Sequence, residues 1–166
     1  GHALLQTLSR LNKELPTLVL YGDVPLITKD TLQLLIRLAD GVRSKRSALG
    51  LLTQNMANPT GYGRIVRDQD GLVSAIVEVK DASSSIKGIA EINTGIMVLP
   101  TDSLPKWLKS LRTKNVQGEY YLTDLIAMAV RDGVPIRTSQ AKNEYEILGV
   151  NSRDQLASLE RQLQKQ

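Results

Sequence analysis

The sequence predicts an α/β protein whose sheet is flanked by helices and carries one antiparallel excursion. Three observations lead there. Short apolar runs of Leu, Ile and Val alternate along the chain with segments of helical periodicity. One pair of runs is joined instead by Asp68-Gln69-Asp70-Gly71, whose Asp-Gly step suits the positive backbone angles of a tight hairpin. And the run Leu18-Val19-Leu20-Tyr21-Gly22-Asp23 delivers a carboxylate just past its carboxyl end, where open α/β sheets gather ligands.

Taken in order, Leu4, Leu5, Leu8 and Leu11 have helical spacing, closed by Pro16. Thr17 to Tyr21 reads as a strand, buried from Leu18 to Leu20. Thr28 caps a helix running to about Ala39, with Leu32, Leu35, Ile36 and Ala39 as its apolar face and Gly41 as its stop. Ala48 to Thr53 is a second strand. Arg64 to Arg67 and Leu72 to Val77 form the hairpin, and Ser83-Ser84-Ser85 with Gly88 marks an exposed loop. Ile92 to Leu99 is an apolar strand interrupted by Asn93, Thr94 and Gly95. Thr101 begins a short amphipathic helix through Trp107, Leu108 and Leu111. Thr123 opens a helix over Asp124 to Arg131, ended by Gly133. Val134 to Thr138 and Tyr145 to Val150 read as short strands. Ser152 and Gln155 have capping-box spacing at the head of a last helix, with Leu156, Leu159 and Leu163 as its apolar positions.

Composition narrows the function classes. At 166 residues, 42% hydrophobic and 23% charged, the chain suits one globular domain with a real core. With no phenylalanine and one tryptophan, that core must be mostly Leu, Ile, Val and Ala. The absence of cysteine excludes disulfides and thiolate metal sites and permits a reducing compartment. No apolar run is long enough to span a bilayer, and no signal-peptide pattern is present. The formal charge of +4 suits nucleic acid or anionic nucleotide substrates. Its one dense cluster, Arg43, Lys45 and Arg46, has no interleaved aromatics and reads as a solvated loop rather than a base-stacking platform. The opening Gly1-His2-Ala3-Leu4 has no initiator methionine and reads as the start of a piece of a longer protein.

Several constellations hold chemistry. Asp23 is either a ligand to a hard cation, which takes one or two protein oxygens and the rest from water and phosphate, or a cap on the turn into Val24-Pro25. Gly61-Tyr62-Gly63 lets a backbone amide approach a ligand, or is a plain entry into the next strand. Arg64 is a phosphate contact or a surface arginine. Glu78 and Lys80 fall on one face of an extended chain, as a grip on sugar hydroxyls and phosphate or as an exposed ion pair. Asn93, inside an apolar strand, needs an internal partner or a ligand, and Gly95 leaves space for a ligand. Asp124 serves a helix start, while Glu119 and Tyr121 are candidates to face a pocket. Asn151 ends the last strand as Asp23 ends the first, as an oxygen donor, a helix cap or both. There is no phosphate-binding Gly-x-x-x-x-Gly-Lys-Ser/Thr loop, no His-Glu-x-x-His and no Gly-x-Ser-x-Gly. The only histidine, His2, lies at the chain end.

Taken together the motifs are specific. Leu-x-Leu-Tyr-Gly-Asp-Val-Pro-Leu, Pro-Thr-Gly-Tyr-Gly-Arg-Ile, Val-Glu-x-Lys-Asp-Ala, Glu-Ile-Asn-Thr-Gly, Gln-Gly-Glu-Tyr-Tyr-Leu-Thr-Asp and Gly-Val-Asn-x-Arg follow one another in the chain. They closely resemble the uridyltransferase domain of the bacterial bifunctional N-acetylglucosamine-1-phosphate uridyltransferase/glucosamine-1-phosphate acetyltransferase family, over essentially the whole chain. The resemblance implies a Rossmann-like nucleotide-diphospho-sugar transferase fold, amino-terminally truncated. Residues 1–151 would be part of the uridyltransferase domain. Residues 152–166 would be a linker helix toward a left-handed β-helix that carries acetyl transfer and forms a homotrimer.

The implied reaction is attack of N-acetylglucosamine 1-phosphate on the α-phosphate of UTP, giving UDP-N-acetylglucosamine and pyrophosphate. It supplies cell-wall and lipopolysaccharide precursor in the cytoplasm. By the same resemblance Asp23 and Asn151 are the Mg²⁺ ligands and catalytic residues. Tyr21, Gly22, Asp23, Gly63, Glu78, Asn93 and Asn151 contact the nucleotide sugar. Glu119, Tyr121 and Thr123 line the sugar pocket, and Lys80 lies near phosphate. Neither nucleic acid nor membrane is an implied partner.

The chain departs from the family in several places. The family's glycine-rich Leu-x-Ala-Gly-x-Gly-Thr-x-Met loop, its arginine and lysine, and its uracil-reading segment are not in this sequence. The chain alone is therefore expected to be inactive, with base choice outside it and an exposed sheet edge open to self-association. The segment Gly41 to Ser47 is longer and more basic than the family pattern. Three alternatives stay open: another sugar-1-phosphate nucleotidyltransferase, a metal-dependent glycosyltransferase, and a non-catalytic binding or assembly module of the same fold. Asp23-Val24-Pro25, lacking Asp-x-Asp, argues against the glycosyltransferase.

Overall fold

The computed structural model describes residues 1–40 and 48–164. The helix stop at Gly41, the cluster Arg43, Lys45 and Arg46, and the Gly41 to Ser47 segment lie outside the described residues. In chain order the elements are α1 (His2–Thr7) with a 3-10 turn (Leu8–Arg10), β1 (Thr17–Val19), α2 (Lys29–Ala39), β2 (Leu49–Asn55), β3 (Arg64–Arg67), β4 (Val73–Val77), α3 (Ser84–Lys87), β5 (Glu91–Leu99), α4 (Leu104–Ser110), α5 (Asp124–Arg131), β6 (Ile136–Gln140), a 3-10 turn (Glu144–Ile147) and α6 (Arg153–Leu163).

β5 is the spine of a mixed sheet ordered β4-β3-β5-β2-β6, with β1 also on β5. One edge of β5 is taken by antiparallel β2, from Gly50↔Val98 to Asn55↔Glu91. β6 runs parallel to β2, from Leu49↔Ile136 to Thr53↔Gln140. The other edge of β5 is divided. β1 pairs with its carboxyl end, Thr17↔Leu99 to Val19↔Met97, and β3 pairs near its start, Arg64↔Ile92. Between these two partners β5 is open at Thr94 to Ile96, and that gap positions the cleft described below.

Helices cover both faces. Leu104, Trp107 and Leu108 of α4 and Leu125, Ile126 and Ala129 of α5 pack on Leu49, Leu51, Met97 and Leu99. Leu35 and Ala39 of α2 pack on Leu52, Ile92, Ile96 and Val98. The core is aliphatic apart from Trp107, as a chain without phenylalanine requires. Thr28 caps α2 by accepting from the Thr31 N–H, and the β3–β4 hairpin turns through Gly71 at φ +77°. No helix among the described residues is long and apolar enough to cross a membrane.

The structure corrects the sequence reading in six places. β1 stops at Val19, and Leu20 is 46% exposed rather than buried. The ladder cannot continue because the Tyr21 ring lies over Gly95 of β5. Residues 145–150 are not a strand. Glu146 and Ile147 are both buried in a 3-10 turn, where Glu146 is held by Thr28 and Thr31 at the start of α2. Ser83 to Ser85 is exposed but starts a one-turn helix, with Ser83 Oγ accepting from the Ile86 N–H. Ile36 of α2 is exposed. On α6 only Leu159 is buried, with Leu156 and Leu163 in solvent. Arg64 is neither a surface residue nor free for phosphate. It is 3% exposed, and its guanidinium donates to the carbonyls of Lys87 and Tyr62, tying α3 to β3.

Candidate functional site

The open stretch of β5 floors a cleft of about 420 Å³. Its walls come from the end of β1, the Gly61-Tyr62-Gly63 entry into β3, the end of β4 and the turn before α6. Divided pairing along one strand edge thus brings five sequence-distant segments to one place.

Gly95 sets the floor. It has φ +82°, and a Cβ there would stand 2.5 Å from Cε2 of Tyr21, so only glycine lets the tyrosine ring come this close to the strand. The space that Gly95 leaves is filled by protein rather than by ligand. Burial first, then the charges of Glu78 and Asp23, push the Tyr21 hydroxyl above its usual pKa. Asn93, 9% exposed, lines the cleft. Its Oδ1 accepts from the Gly95 N–H at 3.0 Å, and its own N–H donates to the Gly63 carbonyl at 2.9 Å. The Gly95 bond to Oδ1 fixes the side-chain amide orientation. Asn93 therefore has the internal partner that burial demands and keeps donor capacity beside the cavity.

Glu78 follows β4. Its Oε1 accepts from Thr123 Oγ1 at 3.0 Å, while Oε2 lies 3.3 Å from where a Cβ on Gly63 would stand. Thr123 thus orients Glu78 instead of capping α5 with its side chain. Gly63 keeps the space beside the other carboxylate oxygen open.

Asp23 and Asn151 meet across Gly149. A Cβ at Gly149 would be 3.3 Å from Asp23 Oδ2 and 3.6 Å from Asn151 Nδ2, so the two side-chain ends converge on that glycine. The Val150 N–H donates to the Asp23 carbonyl at 2.8 Å, which locks the two segments together. A second clasp lies behind them. Oε2 of fully buried Glu146 accepts from Thr31 Oγ1 at 2.6 Å, Thr28 Oγ1 at 2.8 Å and the Thr28 N–H at 3.3 Å. Burial alone would raise the pKa of Glu146. The bonds from Thr31 and Thr28 together outweigh it and hold the carboxyl below its ordinary value.

No group of three or more His, Cys, Asp or Glu among the described residues could hold a metal alone. One carboxylate and one amide at Gly149 are residue types that a hard cation completing its shell with water and phosphate would take; Asn151 would serve it through Oδ1, whereas Nδ2 is the amide atom beside Gly149 here.

The structure therefore brings together Tyr21, Asp23, Gly63, Glu78, Asn93 and Asn151, with Thr123 joined through Glu78. Gly22 is exposed and does not line the cleft. Lys80 is exposed in the turn after β4, not on a shared strand face with Glu78, because β4 ends at Val77 and the Asp81 N–H closes a turn on the Glu78 carbonyl. Glu119 is exposed, its carbonyl accepting from Asn115 Nδ2, and Tyr121 donates its hydroxyl to Gln117 Oε1. Neither lines the cleft, although Asp81 and Glu78 stand near enough to Tyr121 to add to the rise in its pKa. Sequence reasoning missed Ile147 and Gln155 as lining residues. The capping-box spacing located Gln155 without revealing that the head of α6 faces the cleft.

No protein-family model matches the chain. Bifunctional protein GlmU of Dechloromonas aromatica is 56% identical over 164 residues, 99% of this chain and 35% of that protein. GlmU of Saccharophagus degradans is 54% identical over 167 residues, 100% of this chain and 36% of that protein. Among solved structures, CMP:2-keto-3-deoxy-manno-octonic acid synthetase complexed with CTP matches 99% of this chain and 67% of its own, with TM-score 0.65 and 15% identity. That likeness shows a shared fold, the mixed α/β sheet of this nucleotide-sugar synthetase. Along its whole length, then, this chain is a sequence relative of bifunctional protein GlmU, spanning about a third of those proteins' length.

Proposed function

We propose that the cleft is the sugar-phosphate side of a nucleotidyltransferase site that makes UDP-N-acetylglucosamine and pyrophosphate from UTP and N-acetylglucosamine 1-phosphate. The observation that carries this reading is the convergence of Asp23 and Asn151 at Gly149, in the same cleft as Glu78 and Asn93. In the reaction a phosphate oxygen of the sugar phosphate attacks the α-phosphorus, and pyrophosphate leaves. This chemistry needs alignment and charge compensation more than covalent help.

The residues divide the work. Glu78, oriented by Thr123, accepts from sugar hydroxyls, and Asn93 donates to the sugar or its phosphate. Gly63 gives the ligand access to backbone, and Tyr21 walls the site. Asp23 and Asn151 would hold Mg²⁺, which when bound neutralises phosphate charge. The chain by itself binds the nucleotide sugar without turning over UTP. In the longer relatives' setting the reading is of a cytoplasmic enzyme with small-molecule substrates.

Calorimetric titration of UDP-N-acetylglucosamine with and without Mg²⁺ tests the reading. Saturable, Mg²⁺-strengthened binding supports it, and a folded chain with no heat of binding refutes it.

A further inference from the structure

Asn151 is one of the two residues on which the proposed cation site depends, yet it lies in the turn between two elements and borrows its position from its neighbours. Its N–H donates to Oε1 of Gln155 at 2.6 Å, a short and strong bond for an amide donor. Gln155 lies in the first turn of α6. Its own N–H donates to Ser152 Oγ at 3.2 Å at the head of α6, and its side chain lines the cleft. In an ordinary capping box the glutamine would reach back to the N–H of the cap residue, here Ser152. It reaches one residue further, to Asn151. The device that starts α6 has therefore been aimed at the residue before the helix, the one whose amide meets Asp23 over Gly149.

We propose that Gln155 is a positioning residue for Asn151: its side-chain oxygen holds the Asn151 backbone so that the Asn151 amide converges with Asp23. The inference rests on the reading of the cleft as a Mg²⁺-assisted nucleotide-sugar site. What matters for positioning is the acceptor oxygen, which glutamate also carries and alanine lacks. Residues that orient a metal's ligands typically change affinity by about 10–100-fold when removed. The expected loss here is about tenfold, because the Val150 bond to Asp23 still clasps the turn.

The test uses the 166-residue chain as wild type, Gln155→Ala, Gln155→Glu and Ser152→Ala, with two readouts. The first is the Asn151 backbone amide signal in the proton–nitrogen NMR spectrum without ligand. The second is UDP-N-acetylglucosamine affinity with Mg²⁺ by calorimetry. In Gln155→Ala the amide proton should move upfield and exchange faster, with about tenfold weaker binding. Gln155→Glu should restore both. Ser152→Ala frays the helix start but spares the Asn151 bond, and should keep both readouts near wild type.

An Asn151 signal unchanged in Gln155→Ala overturns the proposal. So does a Gln155→Glu chain that regains the signal without the affinity, or a Ser152→Ala chain that loses affinity as Gln155→Ala does. Absence of binding by the wild type refutes the nucleotide-sugar reading instead, and the amide signal still decides whether Gln155 positions Asn151.

Discussion

Removing the Glu146 carboxylate should loosen the fold and the site together, because one buried oxygen joins the segment before Asn151 to the start of α2. Three donors meet that oxygen, two from Thr28 and one from Thr31. Bonds to a charged acceptor contribute about 1.5–3 kcal/mol each. The desolvation of a buried charge, several kcal/mol, opposes them and is relieved when the charge is removed. With the carboxylate gone, the Thr28 hydroxyl can donate instead to Thr31 Oγ1, 3.0 Å away. The balance for Glu146→Ala is a loss of about 2–4 kcal/mol. For a chain of this size that lowers Tm by about 5–15 °C. Glu146→Gln keeps one acceptor oxygen and should lose roughly half as much.

The pH dependence has a definite sign. The folded pKa of Glu146 lies below the ordinary 4.5, so its contribution is full above that value and disappears as pH falls through the folded pKa. Urea unfolding followed by circular dichroism, from neutral pH down through the carboxylate range, reads both effects. The wild type should lose stability in acid more steeply than Glu146→Gln. Glu146→Ala within about 0.5 kcal/mol of wild type at neutral pH, or identical acid slopes in wild type and Glu146→Gln, would refute this reasoning.

Other substitutions probe the cleft and the core. Gly95→Ala forces an L-residue into the left-handed region, at about 1–2 kcal/mol, and expels the Tyr21 ring; thermal unfolding and calorimetry should show a destabilised chain with lost ligand affinity. Thr123→Val keeps the shape and removes the donor to Glu78 Oε1, so UDP-N-acetylglucosamine affinity should drop about tenfold or more, with stability changed by less than about 1 kcal/mol in urea unfolding. Asp132 accepts from Lys106 Nζ at 2.7 Å and from the indole N–H of fully buried Trp107 at 2.9 Å, with Arg131 on its other oxygen. Asp132→Leu strands the indole donor and should lower Tm measurably, whereas Asp132→Asn keeps an acceptor and should lower it less. These partners, Lys106 first, hold the Asp132 carboxyl well below the ordinary 3.8. Its contribution therefore stays whole above that value and fades only in stronger acid, and acid titration of Asp132→Asn should lack that component.

Local rules made much of this molecule readable. Thr28 with the apolar stripe through Leu35 and Ala39, and the Asp-Gly hairpin, depend on neighbours in sequence, and they form as expected. Asn93 stood out as a polar residue inside an apolar strand, Asp23, Glu78 and Asn151 as polar residues at expected strand ends, and Gly63 as a glycine at a strand entry; all five line the cleft. What the sequence hid depends on partners distant in the chain. Tyr145 to Val150 has strand-like residues, but Thr28 and Thr31, more than a hundred positions earlier, pull Glu146 inward and wind the segment into a turn. Arg64 looks like a surface hairpin residue until the Lys87 carbonyl folds over it. Lys80 was paired with Glu78 by strand alternation, and the turn after Val77 cancels that alternation. The leucines of α6 show helical spacing, but only Leu159 finds a surface to pack on.

The central claim is that the cleft over Asn93 and Gly149 takes a nucleotide sugar with Mg²⁺. Its most direct test is calorimetric titration of the 166-residue chain with UDP-N-acetylglucosamine and Mg²⁺, beside an Asn93→Ala chain shown by circular dichroism to be folded. Wild type should bind saturably and Asn93→Ala at least about tenfold more weakly, the loss of a buried donor to a phosphate or sugar oxygen. Equal binding by the two chains, or none by a folded wild type, would contradict it.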